Sequence, residues 1–325
     1  MEFFDFAGAI IVSMIRSAPV LMFAALAGLF AERSGVVDLG LEGKILASAF
    51  VSAAVGYTTQ NPWLGIAAGI AVSVAIAMVQ AFVSITQKGN QLVAGIAINI
   101  AMSGLTFVVA QYIFQQGGRT PDLGEARLSR VAVPGTELVA DVPFLGWFFK
   151  DVLGGHTPLV YLAFALLPLV HWVVYHSRFG LRLRACGENP HAADAAGVSV
   201  EKTRYMAMFA AGVLCSFSGA YLSIVQSGFF LRDMSAGAGY LALTALVFGN
   251  WRPLHTVLGC LMFSFFTAVQ IQLEGVDLPV VGRIPGSLIQ MIPYVVTVIV
   301  LAGLMAKSVA PKAIVREMFE RAMTF

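Results

Sequence analysis

Apolar runs of about twenty residues recur along this chain, and they restrict its fold more than any other feature. Residues 62–86 and 91–115 each pass without a single charged side chain. A helix needs about 20 such residues to cross a hydrocarbon core of about 30 Å. Lipid cannot satisfy backbone polar groups, so only helices and closed barrels traverse it, and these runs lack the two-residue alternation of a barrel. Composition agrees: hydrophobic residues make up 58% and charged residues 12%, whereas a soluble domain carries about a quarter charged. The expected fold is an all-α, polytopic transmembrane helical bundle filling residues 1–325 as one domain. Nine spans are predicted, at 8–31, 43–58, 62–86, 91–115, 157–176, 202–226, 237–250, 254–273 and 285–306. The second and seventh are short, so each should tilt, break or lie shielded in the bundle. A half-helix in either would raise the count to ten.

Glu2 and Asp5 precede the first cation, Arg16. That is the reverse of a signal-peptide n-region, so the first run is expected to be a retained span. Cys186, Cys215 and Cys260 are too few and scattered for a disulfide framework. The net charge of +2 says little about partners, and no nucleic-acid partner is expected.

One hydrophilic insert, Arg178–Arg204, interrupts the second half. Asn189 suits an N-cap, Pro190 the first helical position and Gly197 a left-handed stop, which predicts a helix over 190–196. Ala192, Ala193, Ala195 and Ala196 keep it slim, so another protein could approach closely. Arg178, Arg182, Arg184, Lys202 and Arg204 flank it. The spacing fits a docking helix for a soluble partner and equally an ordinary basic cytoplasmic loop. With 177–201 in the cytoplasm, alternation puts the N-terminus and the 117–156 loop outside. Inside segments then hold thirteen cations, Arg33, Lys44 and Lys88 among them, and outside segments six, as the positive-inside rule requires. A weak internal echo also exists. Ser34-Gly35 leads through Asp38 and Gly40 to one short span, and Ser227-Gly228 through Asp233 and Gly237 to the other, an arrangement an inverted repeat would give.

Three strings now carry a resemblance. The insert reads F-G-L-R-x-R-A-x-G-E-N-P-x-A-A-x-A-A-G from Phe179, and is similar to the coupling-helix motif of permease subunits of bacterial ABC importers. The branch is the one serving ribose-type sugars, branched-chain amino acids and nucleosides. The segment Glu32-Arg33-Ser34-Gly35-Val36-Val37-Asp38-Leu39-Gly40-Leu41-Glu42-Gly43 resembles that branch's signature, with Asp38 where the family carries Asn. Gly228-Phe229-Phe230 and Phe248-Gly249-Asn250-Trp251-Arg252-Pro253 resemble nucleoside permeases in particular. The resemblance implies a multi-pass protein of the cell (inner) membrane whose coupling residues are Arg182, Gly187, Glu188, Asn189, Pro190, Ala192, Ala193, Ala196 and Gly197. It also implies cytoplasmic ATP-binding cassette subunits, an extracytoplasmic solute-binding protein and a second permease, with a paralogue favoured.

The residues add their own limits. No G-x-x-x-x-G-K-[ST] loop is present to cradle ATP phosphates, so ATP and its hydrolysis are expected on partner subunits and no cofactor on this chain. The five histidines show no metal-ligand spacing, and no catalytic constellation supports a membrane enzyme. Arg16 is the one ionisable group well inside a span; it could snorkel outward or line a pathway. An ion-coupled carrier would keep a carboxylate near the midplane, and none is evident. Neutral amides remain: Gln80, Asn99, Gln111, Gln226, Gln270 and Gln290. Each could join helix to helix or line a route. Asn99 and Gln270, with Ser34, Asp38 and Glu42 of the signature, form the candidate translocation pathway. An uncharged solute rich in hydroxyls would suit such amides; the resemblance implies a nucleoside, with a sugar or an amino acid of the same family as alternatives.

Overall fold

The computed structural model describes residues 2–131 and 154–273, with short pieces beyond, 277–278, 282–283 and 309–314 among them. Ten helices are defined there: α1 Glu2–Arg33, α2 Leu41–Thr59, α3 Pro62–Ala81, α4 Gln91–Phe114, α5 Pro158–His176, α6 Arg178–Glu188, α7 Pro190–Ala195, α8 Val200–Ala220, α9 Ala238–Phe248 and α10 Pro253–Leu273. Helices α3 and α8 run on into wider π turns over Phe82–Thr86 and Tyr221–Ser227. A two-residue antiparallel ladder pairs Asp277–Leu278 with Gly282–Arg283.

Six of these helices are long and apolar enough to cross a membrane, among them Gly8–Arg33 of α1 and Val200–Ser227 of α8 with its π turn. They coincide with six of the nine predicted spans. All but residues 291, 295 and 298 of the span expected at 285–306, and residues 132–153 of the expected 117–156 loop, lie outside the described residues. The two short spans are helices of another kind. Helix α2 has 19 residues and is buried along most of its length. Helix α9 has 11 residues, about 16 Å at 1.5 Å per residue, half of a hydrocarbon core.

Helix α1 is the hub. It packs against α8, α9 and α10, and Ala24 to Ala27 are fully buried. Helices α2, α3 and α8 form a second closely packed layer. In lipid no hydrophobic drive holds helices together, so close backbone approach and cross-helix hydrogen bonds must do it. A Cβ on Gly219 would sit 2.3 Å from the carbonyl oxygen of Ile45, and one on Gly65 would sit 2.5 Å from that of Ser52. Both positions therefore require glycine. Hydroxyls then tie α8 to its neighbours: Ser48 Oγ donates to the Ser216 carbonyl (2.9 Å), Ser73 Oγ to Gly212 (2.8 Å) and Ser218 Oγ to Val20 (2.8 Å).

Candidate functional site

Between α1 and α2 the chain leaves helical geometry, yet Ser34–Asp38 and Gly40 are all buried. Irregular backbone at such depth survives only where protein supplies its hydrogen bonds. Here it does. Gly35, at φ +87°, donates to the Glu32 carbonyl (3.0 Å), and Val36 to that of Ala31 (3.2 Å). Ser34 Oγ closes on the Ala31 carbonyl at 2.6 Å, and the Ser34 carbonyl accepts from Arg204 Nε at 3.2 Å. Val37 N–H donates to Gln91 Oε1 at 2.7 Å. The signature is joined to the distant Trp251 string by two bonds. Trp251 Nε1 donates to Glu32 Oε2 at 2.5 Å, and Arg33 Nε to the Trp251 carbonyl at 2.8 Å.

Two helix N-termini meet inside the bundle. The first N–H groups of any helix lack intrahelical partners, and lipid offers none. Glu42, in the first turn of α2, supplies them for α9: its carboxylate accepts from Gly237 N (2.8 Å) and Gly239 N (2.7 Å). Asn99 of α4 serves α2, its Oδ1 accepting from Gly43 N at 2.8 Å. Its Nδ2 donates to the Leu39 carbonyl and to Tyr240 Oη, both at 2.8 Å. Asp38 pairs with Lys44, and Lys44 Nζ also donates to Gln80 Oε1 at 3.2 Å. Lys44 was counted above as a loop cation, but it is fully buried and belongs to this network instead. Asp38, Glu42 and Asn99 thus bond around the starts of α2 and α9, while Ser34 bonds the end of α1 and Arg204 of α8.

Gln270 is placed differently. It lines a cavity of about 360 Å³ between α1, the end of α8, α9 and α10, together with Ser17, Gln226, Ser235, Ser264 and Thr267; Leu21, Leu222 and Leu241 supply the apolar wall. That volume lies in the range of about 300–1,000 Å³ usual for small-molecule sites. No charged side chain is among the described residues of the lining. Ser264 Oγ is buried there without a hydrogen-bond partner among the described residues, an unmet group that a solute hydroxyl or water could satisfy. Ser17 and Gln226 also border a neighbouring cavity of about 400 Å³, lined by Arg16, Arg127, Arg130 and His156. Arg16 therefore borders a polar cavity, while its backbone carbonyl accepts from Tyr221 Oη at 2.6 Å. The amides stand out singly in the sequence; the hydroxyls of Ser17, Ser264 and Thr267 do not, because Ser and Thr within a helix commonly bond a carbonyl of their own helix, as Ser17 and Thr267 also do here, and Ser235 falls between two predicted spans.

At the opposite end, where α1 finishes, α6 and α7 form a helical elbow. The expected α7 is present at Pro190–Ala195, one residue shorter than read. Asn189 Oδ1 accepts from Ala192 N (3.1 Å), and Gly197 adopts φ +79°. Helix α6 replaces what was read as a flanking loop, capped by Ser177 Oγ, which accepts from Gly180 N at 2.9 Å. Its exposed Leu181, with Arg178, Arg182, Ala185, Glu188, Asn189, Ala192 and Ala196, borders a groove of about 560 Å³. Two of the expected coupling residues face inward. Ala193 lies at the floor of that groove and is only 5% exposed, and a Cβ on Gly187 would lie 2.3 Å from the Arg33 carbonyl. They seat the elbow on the bundle.

A lipid-embedded helical bundle with a polar cavity toward one end and an exposed helical elbow at the other has the parts of a membrane transport subunit. The chain belongs to the branched-chain amino acid transport system / permease component family, whose pattern matches residues 10–301. It is a multi-pass protein of the cell membrane, and the family works with ATP-binding and substrate-binding partners. It is 33% identical over 312 residues to the nucleoside ABC transporter permease NupC of Lactococcus lactis subsp. cremoris (94% of each chain). It is likewise 33% identical over 308 residues to the guanosine ABC transporter permease NupQ of Bacillus subtilis (93% of each). TsgC13 of Haloferax volcanii, named for glucose transport, is 33% identical over 276 residues, 84% of this chain and 80% of its own.

Proposed function

We propose that this chain is the permease subunit of an ATP-driven importer for a neutral nucleoside, with no catalytic site or cofactor of its own. The observation that carries the reading is the 360 Å³ cavity whose described lining is amides, hydroxyls and apolar side chains without a charge. A nucleoside offers ribose hydroxyls and base edges to such groups. A zwitterionic amino acid would bring two charges among described lining residues that carry none, which is costly away from water. The nucleoside permeases among its relatives support the same solute.

In this reading ATP-binding subunits seat on the elbow of α6 and α7, and a solute-binding protein delivers to the cavity end. A paralogous second permease completes the pore. The 117–156 loop is extracytoplasmic and 177–201 cytoplasmic, so single cysteines at the exposed positions Glu125 and Asp194 should label from opposite sides of the membrane. Transport follows from alternating access: nucleotide and solute favour different states of the bundle, and each shifts the other's affinity by the same factor. The test is ATP turnover by the purified assembly in proteoliposomes. Guanosine or uridine should raise it, leucine should not, and stimulation by leucine alone overturns the assignment. The glucose-named relative motivates one further arm: stimulation by glucose with none by nucleosides would assign a sugar instead.

A further inference from the structure

A further cavity, of about 570 Å³, lies at the α6–α7 end and has no part in the reading above. Its lining is cationic: Arg33 at the end of α1, Arg184 of α6 and Arg252 just before α10, with His171, His176 and His255. No carboxylate is among the described lining residues; Glu188, whose charge acts on Arg33, lines the neighbouring groove. Arg33 is held by its bond to the Trp251 carbonyl (2.8 Å), and the Arg184 guanidinium lies over the Tyr175 ring at 5.0 Å. These guanidinium groups are positioned before any ligand arrives. Helix α10 begins at Pro253 beside the cavity, and the positive end of its dipole favours an anion further. Three guanidinium groups facing one space repel one another unless an anion sits between them.

Two membrane-crossing helices, α5 and α10, end at this cavity. On α5, Leu169 and Trp172 are 52% and 58% exposed; on α10, Leu254 and Leu258 are 50% and 55% exposed. Leu254 itself lines the cavity, and Leu258 lies one turn further along α10. The cationic space thus continues into apolar surface that runs along the spans. We propose that this cavity binds the phosphate headgroup of an anionic phospholipid whose acyl chains lie on α5 and α10. Basic pockets between transmembrane helices take such headgroups. A free phosphate would use the same guanidinium groups but not the apolar ribbons.

The test uses Trp172 as the reporter in the full-length protein, reconstituted in nanodiscs of phosphatidylcholine. Brominated phosphatidylglycerol and brominated phosphatidylcholine are compared at equal mole fraction, and the Trp172→Phe variant isolates the signal of Trp172. The expected result is several-fold stronger quenching by the anionic lipid. That preference should vanish in Arg184→Ala/Arg252→Ala and survive in Arg184→Lys/Arg252→Lys. Equal quenching by both lipids in the wild type overturns the proposal, as does a preference retained by the alanine pair. If millimolar inorganic phosphate abolishes the preference, the site is one for soluble anions and the lipid assignment fails. If the alanine pair keeps the preference and instead releases the ATP-binding subunit, the cluster belongs to the docking surface.

Discussion

Asp38 and Lys44 form an ion pair from which water is wholly excluded, at the start of α2 and beside Gln80. Taking two charges out of water is expensive, and the pair survives because each charge compensates the other. Removing one partner should therefore cost more than removing both: about 3–5 kcal/mol for a broken buried pair. Lys44→Met or Asp38→Asn alone should lower the thermal unfolding temperature in detergent by several degrees. The double variant Asp38→Asn/Lys44→Met should recover most of that loss. A double variant no better than either single one would mean that the pair is not compensating. The pairing also gives a physical reason for Asp38, the departure from the family's Asn noted above: in this chain the position answers a buried lysine.

Glu42 joins the two halves of the molecule through the N-terminus of α9. Glu42→Ala should leave the N–H groups of Gly237 and Gly239 without acceptors, at about 1–3 kcal/mol for each buried group. Hydrogen exchange at the first turn of α9 should accelerate while α5 is unaffected. Unchanged exchange there would show that other acceptors stand in for the carboxylate.

What sequence made legible follows from the range of the interactions. The α7 helix was readable because a cap is local: Asn189, Pro190 and Gly197 state its limits within eight positions. Helix α6 was not, because its arginines resemble a solvated loop until Leu183 and Cys186 are seen to be fully buried on one face. Lys44 was misplaced for a related reason. Its partner lies six residues away across a non-helical turn, a spacing no helical rule covers. The Trp251–Glu32 bond spans 219 positions, so both strings were recognisable while their contact was not. The amides were visible, but which of them bonds a helix end and which lines a cavity depends on helix rotation, and rotation is set by neighbours.

That division gives a test that separates structure from transport. Asn99→Leu removes three hydrogen bonds between α4, α2 and α9 and should lower stability. The solute concentration that half-saturates uptake should stay within about twofold in whatever protein folds. Gln270→Leu should do the reverse, with near-normal stability and half-saturation raised about tenfold, equivalent to about 1.4 kcal/mol. Ser264→Val should act in the same direction. The converse pattern, with Asn99→Leu changing half-saturation and Gln270→Leu silent, would move the route away from the 360 Å³ cavity.

The elbow of α6 and α7 makes the last prediction, and the structure changes which residue tests it. Ala193 is part of the elbow's inner face, so Ala193→Trp would disturb the chain's own packing, and loss of transport there would not distinguish docking from misfolding. Ala192 and Ala196 are exposed beside the groove that Leu181 borders. Tryptophan at either should be tolerated by the isolated permease, because the side chain enters solvent rather than the bundle. In the assembled transporter the same bulk should keep an ATP-binding subunit from seating. Ala192→Trp should thus show normal membrane abundance and unfolding temperature, co-purify with little ATP-binding subunit, and lose solute-stimulated ATP turnover. Leu181→Asp should weaken co-purification in the same way, since it places a charge where an exposed apolar side chain would be covered. Wild-type co-purification and uptake in both variants would remove the elbow from the coupling mechanism and leave its exposed leucine without a partner.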